Sequence, residues 1–211
     1  MNTKIKICGL MTSKDIEAVN KSMPDYIGFV FAKSKRHISD EHARQLKKML
    51  SPEILAVGVF VNDTISHIAK LCREKTIDII QLHGDESNEY IAALKQQTSV
   101  PIIRALRLKN KEESSQIYKS EADYFLFDSF DKNGAYGGTG KALDVTLLPE
   151  LIKPTFLAGG MEEANVQEII KKYHPYAIDV SSSVETEGKK DPVKIERMIQ
   201  TVRKVGGRQY E

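Results

Sequence analysis

The sequence has few cysteines, little net charge and no long apolar run, and each shortage excludes a class of protein. Two cysteines in 211 residues are too few for a disulfide scaffold. A formal net charge of +2 provides no strong field for nucleic acid or for a membrane surface. No segment approaches membrane-spanning length, and the opening MNTKIKICGL contains no apolar run of signal-peptide length. We therefore expect a soluble, reduced, cytoplasmic protein without nucleic-acid or membrane partners.

What the chain does have is a regular alternation of two patterns. With 41% hydrophobic and 28% charged residues, its composition is typical of a globular protein. Short runs rich in β-branched and aromatic residues indicate buried parallel strands, and these runs are Lys4–Ile7, Tyr26–Phe31, Ile54–Val61, Asp78–Leu82, Pro101–Leu108, Asp123–Phe127, Thr155–Ala158 and Ala177–Ser181. Segments with helical spacing lie between them, and Ser39, Thr64 and Asp191 (followed by Pro192) are typical helix N-caps.

Eight such repeats in one chain favour a closed barrel. A strand followed each time by a helix requires a parallel sheet with crossover helices, and eight units predict a compact (β/α)₈ TIM barrel, an α/β fold, over residues 1–211 as a single domain. The segment after the sixth strand, 131–144, is glycine-rich, and we expect a degenerate unit there. An open, doubly wound sheet is the alternative topology.

Three glycine- or serine-rich turns follow the last three predicted strands. Gly138, Thr139 and Gly140 follow strand six, Gly159 and Gly160 follow strand seven, and Ser182 and Ser183 follow strand eight. In a barrel these turns lie on one face, where backbone amides can approach an anion closely. They could be ordinary turns, but three on consecutive strands predict a phosphate site.

Two reactive side chains end strands on the same face. Cys8 precedes a glycine, and cationic Lys6 lies on the same side of its strand, which favours a thiolate. Asp128 ends an apolar strand, where desolvation raises a carboxyl pKa unless a basic partner is present. Together they form a candidate acid/base pair. Either could instead be structural, as we expect for Cys72 on the apolar stripe of a helix.

Arg36, Gln81 and His83 complete the candidate set. The Arg36 guanidinium suits a substrate carboxylate, although it could also be a solvated loop residue, and His83 could simply cap a turn. The sequence has no Ser-His-Asp order at suitable positions, no Cys/His metal spacing and no G-x-G-x-x-G after the first strand. These absences disfavour hydride transfer and metal-dependent hydrolysis, so no cofactor and no metal are expected.

The ordered set of strand-end motifs resembles the phosphoribosylanthranilate isomerase family of tryptophan biosynthesis. The resemblance runs through the whole chain, in the motifs Lys6-Ile7-Cys8-Gly9-Leu10, Ser34-Lys35-Arg36, Gln81-Leu82-His83-Gly84, Phe127-Asp128-Ser129, Gly137-Gly138-Thr139-Gly140-Lys141, Leu157-Ala158-Gly159-Gly160, Asp179-Val180-Ser181-Ser182 and Gly188-Lys189-Lys190-Asp191. One such motif would be weak evidence, whereas the ordered set is specific.

The resemblance implies a cofactor-free Amadori rearrangement by an aldose–ketose isomerase, with a small phosphoribosyl substrate. Nothing in the sequence picks out a dimer surface, so a monomer and a homodimer both stay open. In that mechanism Asp128 is the general acid that opens the ribose ring, and Cys8 is the general base at sugar C2. Arg36 would hold the anthranilate carboxylate and the turns of strands six to eight the phosphate. Ser183 departs from the glycine usual in the family, which leaves the individual phosphate donors open.

Two other functions remain as alternatives. The histidine-pathway isomerase performs the same rearrangement on an aminoimidazole substrate but uses an aspartate where this chain has Cys8. A barrel that only binds phosphorylated ligands would have no chemical need for Cys8, Asp128 and Arg36 together.

Strand alternation gives one further structural hypothesis. Strands one and eight are neighbours in a closed barrel, so Lys6 and Asp179 should pair inside it, beneath the site. That pairing would reduce the effect of the Lys6 charge on Cys8.

Overall fold

Eight parallel strands close into a barrel in which each strand pairs with the next along the chain, and β1 pairs with β8. The computed structural model describes residues 2–107, 120–129, 143, 148–149, 151 and 153–206. The strands are β1 Lys4–Cys8, β2 Tyr26–Val30, β3 Leu55–Phe60, β4 Ile79–Leu82, β5 Ile102–Arg107, β6 Tyr124–Asp128, β7 Thr155–Leu157 and β8 Ala177–Val180. Each lies within a residue or two of its predicted run, and the barrel topology is confirmed over the open sheet.

Six α-helices of the described residues lie between or after the strands. They are α1 Ser13–Ser22, α2 Asp40–Met49, α3 Ile65–Arg73, α4 Asn88–Lys95, α5 Val166–Tyr173 and α6 Pro192–Gly206. The predicted N-caps are confirmed: the hydroxyls of Ser39 and Thr64 accept from the amides of His42 and His67, and the Asp191 carboxylate accepts from the amide of Val193.

The apolar side chains divide between two layers. One large cluster fills the space between the strands and the surrounding helices. A smaller cluster fills the barrel interior, and its lower part is aromatic: Tyr26, Phe156 and Tyr176 pack with ring centroids 5.5–5.6 Å apart. The barrel is thus a packed core, and its open space lies at the carboxyl ends of the strands.

Closure of the barrel brings Lys6 and Asp179 together. The two residues are in register on β1 and β8, and Lys6 Nζ donates to Asp179 Oδ2 at 2.8 Å. Lys6 is completely buried and Asp179 nearly so. The pairing predicted from strand alternation is confirmed.

A short hairpin that the sequence did not predict follows β8. A 3-10 turn, Ser182–Val184, leads into two antiparallel strands, β9 Glu185–Thr186 and β10 Lys189–Lys190. The hairpin directly precedes α6 and returns toward the carboxyl ends of the strands.

Some predictions lie outside the described residues. These are the end of the fifth strand at Leu108, the residues Gly138, Thr139 and Gly140, and all of segment 131–144 except Leu143. Among the helices of the described ranges, none combines the length and the apolar character needed to cross a membrane.

Candidate active site

A cavity of about 700 Å³ opens at the carboxyl ends of the strands. Its walls contain every predicted site residue that the structure describes: Cys8, Arg36, Gln81, His83, Asp128, Gly159, Gly160, Ser182 and Ser183. Val30, Val59 and Ala158 supply apolar wall between these polar groups. The cavity therefore brings together the candidate acid/base residues, the turns predicted to bind phosphate and an apolar surface.

Cys8 ends β1 and lines the cavity, and the residue as a whole is partly exposed. Gly28 lies opposite it on β2, and a Cβ at position 28 would lie 2.7 Å from Cys8 Sγ, so the glycine provides the space for the thiol. Burial raises the pKa of Cys8, and the nearby Lys6 and Lys190 charges lower it only in part, because Asp179 opposes them. In the free protein the thiol form is therefore favoured, although Lys6 acts in the expected direction.

Asp128 ends β6, also lines the cavity and is almost fully buried. Its Oδ1 accepts from the amide of Ser129 at 2.7 Å. Its Oδ2 lies 3.4 Å from His83 Nε2, too far for a strong hydrogen bond. One oxygen of Asp128 is thus held by the backbone, while the other faces His83 and the cavity.

Gln81 determines which nitrogen of the neutral His83 ring carries the proton. Both project from β4 and the residues just after it, and Gln81 Nε2 donates to His83 Nδ1 at 2.8 Å. Since Nδ1 accepts in this arrangement, a neutral ring carries its proton on Nε2, the atom nearest Asp128. His83 is therefore a cavity residue and not a turn cap.

Three buried polar atoms in this region have no hydrogen-bond partner within the described residues. They are Gln81 Oε1, His83 Nε2 and Asp179 Oδ1, and all three residues line the cavity. A buried polar atom without a partner is costly, so these atoms are suited to bind polar groups of a ligand.

Arg36 lines the cavity and lies next to Gly9. Its guanidinium forms two bonds with the Glu185 carboxylate, Nε to Oε1 at 2.8 Å and Nη2 to Oε2 at 3.0 Å. Gly9 has a φ of +83°, and a Cβ there would lie 2.3 Å from Arg36 Cδ. Arg36 is thus a buried, fixed cation and not a solvated loop residue.

The turns after β7 and β8 form the side of the cavity predicted to bind phosphate. Gly159 and Gly160 have positive φ values of 80° and 62°, which an L side chain rarely adopts. Ser182 and Ser183 form the 3-10 turn, and Ser183 has a negative φ. Serine therefore occupies this position in an allowed conformation without the strain that the glycine-to-serine departure could have caused.

Sequence reasoning missed Glu185 and Lys190. Lys190 Nζ donates to Glu185 Oε1 at 2.8 Å and to the Ser181 carbonyl oxygen at 2.9 Å. Ser181 Oγ in turn donates to the Cys8 carbonyl oxygen at 3.0 Å. Lys190 lies in a motif that carried the family resemblance, and a role for it could have been sought there.

Among the described residues, no group of three or more His, Cys, Asp or Glu side chains is arranged to hold a metal ion. The polar groups of the cavity include the Cys8 thiol, the Asp128 carboxyl, the Arg36 guanidinium and the turns predicted to bind phosphate.

Comparisons with known proteins identify one family over nearly the whole chain. Residues 5–201 match the profile of the family described as N-(5'phosphoribosyl)anthranilate (PRA) isomerase. The N-(5'-phosphoribosyl)anthranilate isomerase of Lachnoclostridium phytofermentans is 45% identical over 209 residues, which cover 93% of this chain and 95% of that protein.

Solved structures give the same result. The phosphoribosyl anthranilate isomerase of Thermotoga maritima has a TM-score of 0.84 at 33% identity, with 96% of this chain and 99% of that chain covered. A phosphoribosyl anthranilate isomerase in complex with reduced 1-(o-carboxyphenylamino)-1-deoxyribulose 5-phosphate has a TM-score of 0.80 at 32% identity, with the same coverage. This chain therefore belongs to the N-(5'-phosphoribosyl)anthranilate isomerase family.

Proposed function

We propose that the chain isomerises N-(5-phosphoribosyl)anthranilate to 1-(2-carboxyphenylamino)-1-deoxyribulose 5-phosphate, with Asp128 as general acid and Cys8 as general base. The observation that carries the proposal is that Cys8, Asp128 and Arg36 line one cavity together with the turns after β7 and β8. Family membership supports the reaction, and the geometry supports the assignment of roles.

Binding uses both ends of the substrate. The turns containing Gly159, Gly160, Ser182 and Ser183 receive the phosphate, and Arg36 receives the anthranilate carboxylate. Held at both ends, the ribose lies between Cys8 and Asp128. Binding energy from these remote groups thus orients the reacting carbons.

Asp128 begins the reaction as a carboxylic acid. It gives its proton to the ribose ring oxygen while the aniline nitrogen lone pair forms a double bond to C1, so the C1–O bond breaks and a cationic Schiff base forms. The unpartnered atoms Gln81 Oε1, His83 Nε2 and Asp179 Oδ1 are available to the sugar hydroxyls at this stage.

Cys8 then acts as the base. The Schiff-base cation places positive charge beside the thiol and lowers its pKa at the step that needs the thiolate, although burial raises the pKa in the free protein. The thiol first releases its proton to solvent water, and the resulting thiolate removes the proton from C2 and gives an enolamine. The C2 hydroxyl proton then passes to the Asp128 carboxylate and the Cys8 proton to C1, which forms the ketone. Asp128 is again a carboxylic acid, and the Cys8 thiolate takes a proton back from solvent.

The test follows the loss of anthranilate-adduct fluorescence with substrate generated from anthranilate and phosphoribosyl pyrophosphate. We expect fast loss with the wild type and a decrease in kcat of about 10²–10⁴-fold for Cys8→Ala and for Asp128→Asn. Cys72→Ala is the matched control, because this second thiol is buried on α3 away from the cavity. A full rate with Cys8→Ala would remove Cys8 from the mechanism, and turnover of the aminoimidazole substrate alone would reassign the substrate.

A further inference from the structure

Glu185 holds the Arg36 guanidinium in a fixed plane. Two N–H···O bonds join the groups, at 2.8 Å and 3.0 Å, and the two side chains are only 10% (Arg36) and 6% (Glu185) exposed. A two-point contact of this kind fixes the rotation of the guanidinium as well as its position. Arg36 comes from the loop after β2 and Glu185 from β9, so the contact joins opposite ends of the chain.

A second buried cation balances the Glu185 charge. Lys190 Nζ donates to the same carboxylate oxygen, Oε1, at 2.8 Å, and the lysine side chain is 2% exposed. Burial opposes the ionised form of Glu185, but the hydrogen bonds from Arg36 and Lys190 outweigh it and lower the pKa of Glu185. Arg36, Lys190 and Glu185 together carry a net charge of +1 at the cavity wall. Because Lys190 shares the Glu185 carboxylate, Glu185 does not cancel the positive charge that Arg36 brings to the cavity.

The remaining donors of Arg36 form a free edge. A guanidinium has five N–H groups, and Glu185 takes one from Nε and one from Nη2. Within the described part of the chain, Nη1 has no hydrogen-bond partner, and Arg36 lines the cavity. The edge formed by Nη1 and Nη2 can therefore receive a carboxylate through two further bonds.

We propose that Glu185 is a positioning residue that selects carboxylated substrates: it fixes Arg36 with one edge directed at the cavity, while Lys190 preserves the positive charge of that edge. This inference rests on the proposed function, in which Arg36 receives the anthranilate carboxylate. Glu185 itself does not contact the substrate. Its effect is confined to the part of the substrate that Arg36 recognises.

The test compares two substrates that differ only in the carboxylate. These are N-(5-phosphoribosyl)anthranilate and N-(5-phosphoribosyl)aniline, the latter prepared by condensation of aniline with ribose 5-phosphate. In Glu185→Gln the amide oxygen can still accept at the Oε1 position, but the amide nitrogen cannot accept from Arg36 Nη2, so the two-point contact that fixes the guanidinium is lost. We expect KM for the carboxylated substrate to rise about 10-fold, a smaller change in kcat, and no change in KM for the aniline substrate.

Glu187→Gln is the matched control. Glu187 lies in the turn of the same hairpin, is exposed and has no hydrogen bond or ion pair within the described residues, so the identical chemical change should leave both substrates unaffected. Glu185→Asp is a second variant that retains the charge but is too short to reach both cations, and it should also raise KM for the carboxylated substrate only.

Several outcomes would overturn the inference. An equal loss with both substrates would mean a merely structural role, and a lower KM for the carboxylated substrate would mean that Glu185 chiefly repels it. Arg36→Met separates this inference from the proposed function. If Arg36→Met abolishes the preference for the carboxylate and both Glu185 variants retain it, the role of Glu185 is wrong and that of Arg36 stands. If Arg36→Met retains the preference, the carboxylate site itself is wrong.

Discussion

Gly9 and Arg36 are so close that no side chain at position 9 is compatible with the observed arginine. A Cβ on Gly9 would lie 2.3 Å from Arg36 Cδ and 3.3 Å from Arg36 Nε. The glycine of the Cys8-Gly9-Leu10 motif therefore has two functions. It adopts a φ of +83° at the end of β1, and its lack of a side chain leaves space for the Arg36 side chain that contacts Glu185.

We expect Gly9→Ala to reduce kcat/KM for the carboxylated substrate by about 100-fold, because Arg36 must move by a substantial fraction of an ångström or more. The variant should also lose about 1–2 kcal/mol of unfolding free energy from the left-handed backbone conformation. Steady-state kinetics and denaturant unfolding measure the two effects separately. Gly188→Ala is the control, since it has a φ of +76° with nothing within 4 Å of its Cβ. An equal activity loss in both variants would contradict the steric explanation.

In the free enzyme, the pKa of the Cys8 thiol should be higher than that of an ordinary cysteine. Burial raises its pKa, so the thiol form predominates at neutral pH and the thiolate accumulates as the pH rises. We expect the rate of alkylation by iodoacetamide to increase with pH and to reach its midpoint above the value of about 8.5 found for a free cysteine. The Cys72→Ala background restricts the measurement to Cys8. A midpoint below that value would show that Lys6 and Lys190 outweigh burial.

The buried pair of Lys6 and Asp179 should stabilise the barrel only as a pair. We expect Lys6→Met to lower the unfolding free energy by about 3–5 kcal/mol, because it leaves a buried carboxylate without its cation. The double variant Lys6→Met/Asp179→Leu should lose much less than the sum of the two single variants, because neither charge then remains buried. Urea unfolding of the wild type, the two single variants and the double variant completes this double-mutant cycle. Additive losses would mean that the two charges are not energetically coupled.

His67 should make stability depend on pH. Partial burial disfavours its charge, but the hydrogen bonds to Asp40 and Asp63, at 2.9 Å and 2.7 Å, raise its pKa overall. A raised pKa in the folded state means that the stabilisation is complete below the unfolded value of about 6.5 and is lost as the pH rises through the folded value. The melting temperature of wild type minus that of His67→Gln, measured against pH, should fall over this window. A difference that does not vary with pH would exclude the ion-pair explanation.

The barrel and most of the site's residue set followed from local features of the sequence. Each buried strand gives a short apolar run, and the residue that ends it faces the cavity, so Cys8 and Asp128 were found by position alone. Glu185 was not, because its contact with Arg36 spans 149 residues and leaves no local signal. The direction of the Cys8 pKa shift likewise depends on how far the fold removes water from the thiol. The charge of Lys6, which the sequence does show, does not indicate the extent of that burial.

The contacts between β1 and the end of the chain have a consequence for how activity is acquired during folding. Lys6 and Asp179 are separated by 173 residues, as are Cys8 and Ser181. Such contacts form late, because the entropy of closing a long loop must be overcome before they contribute. Cys8, Asp128 and Arg36 therefore reach their places around the cavity only when the last strand meets the first. Recovery of turnover after refolding should report the closing of the ring, while recovery of helical signal reports the earlier assembly of single strand–helix units.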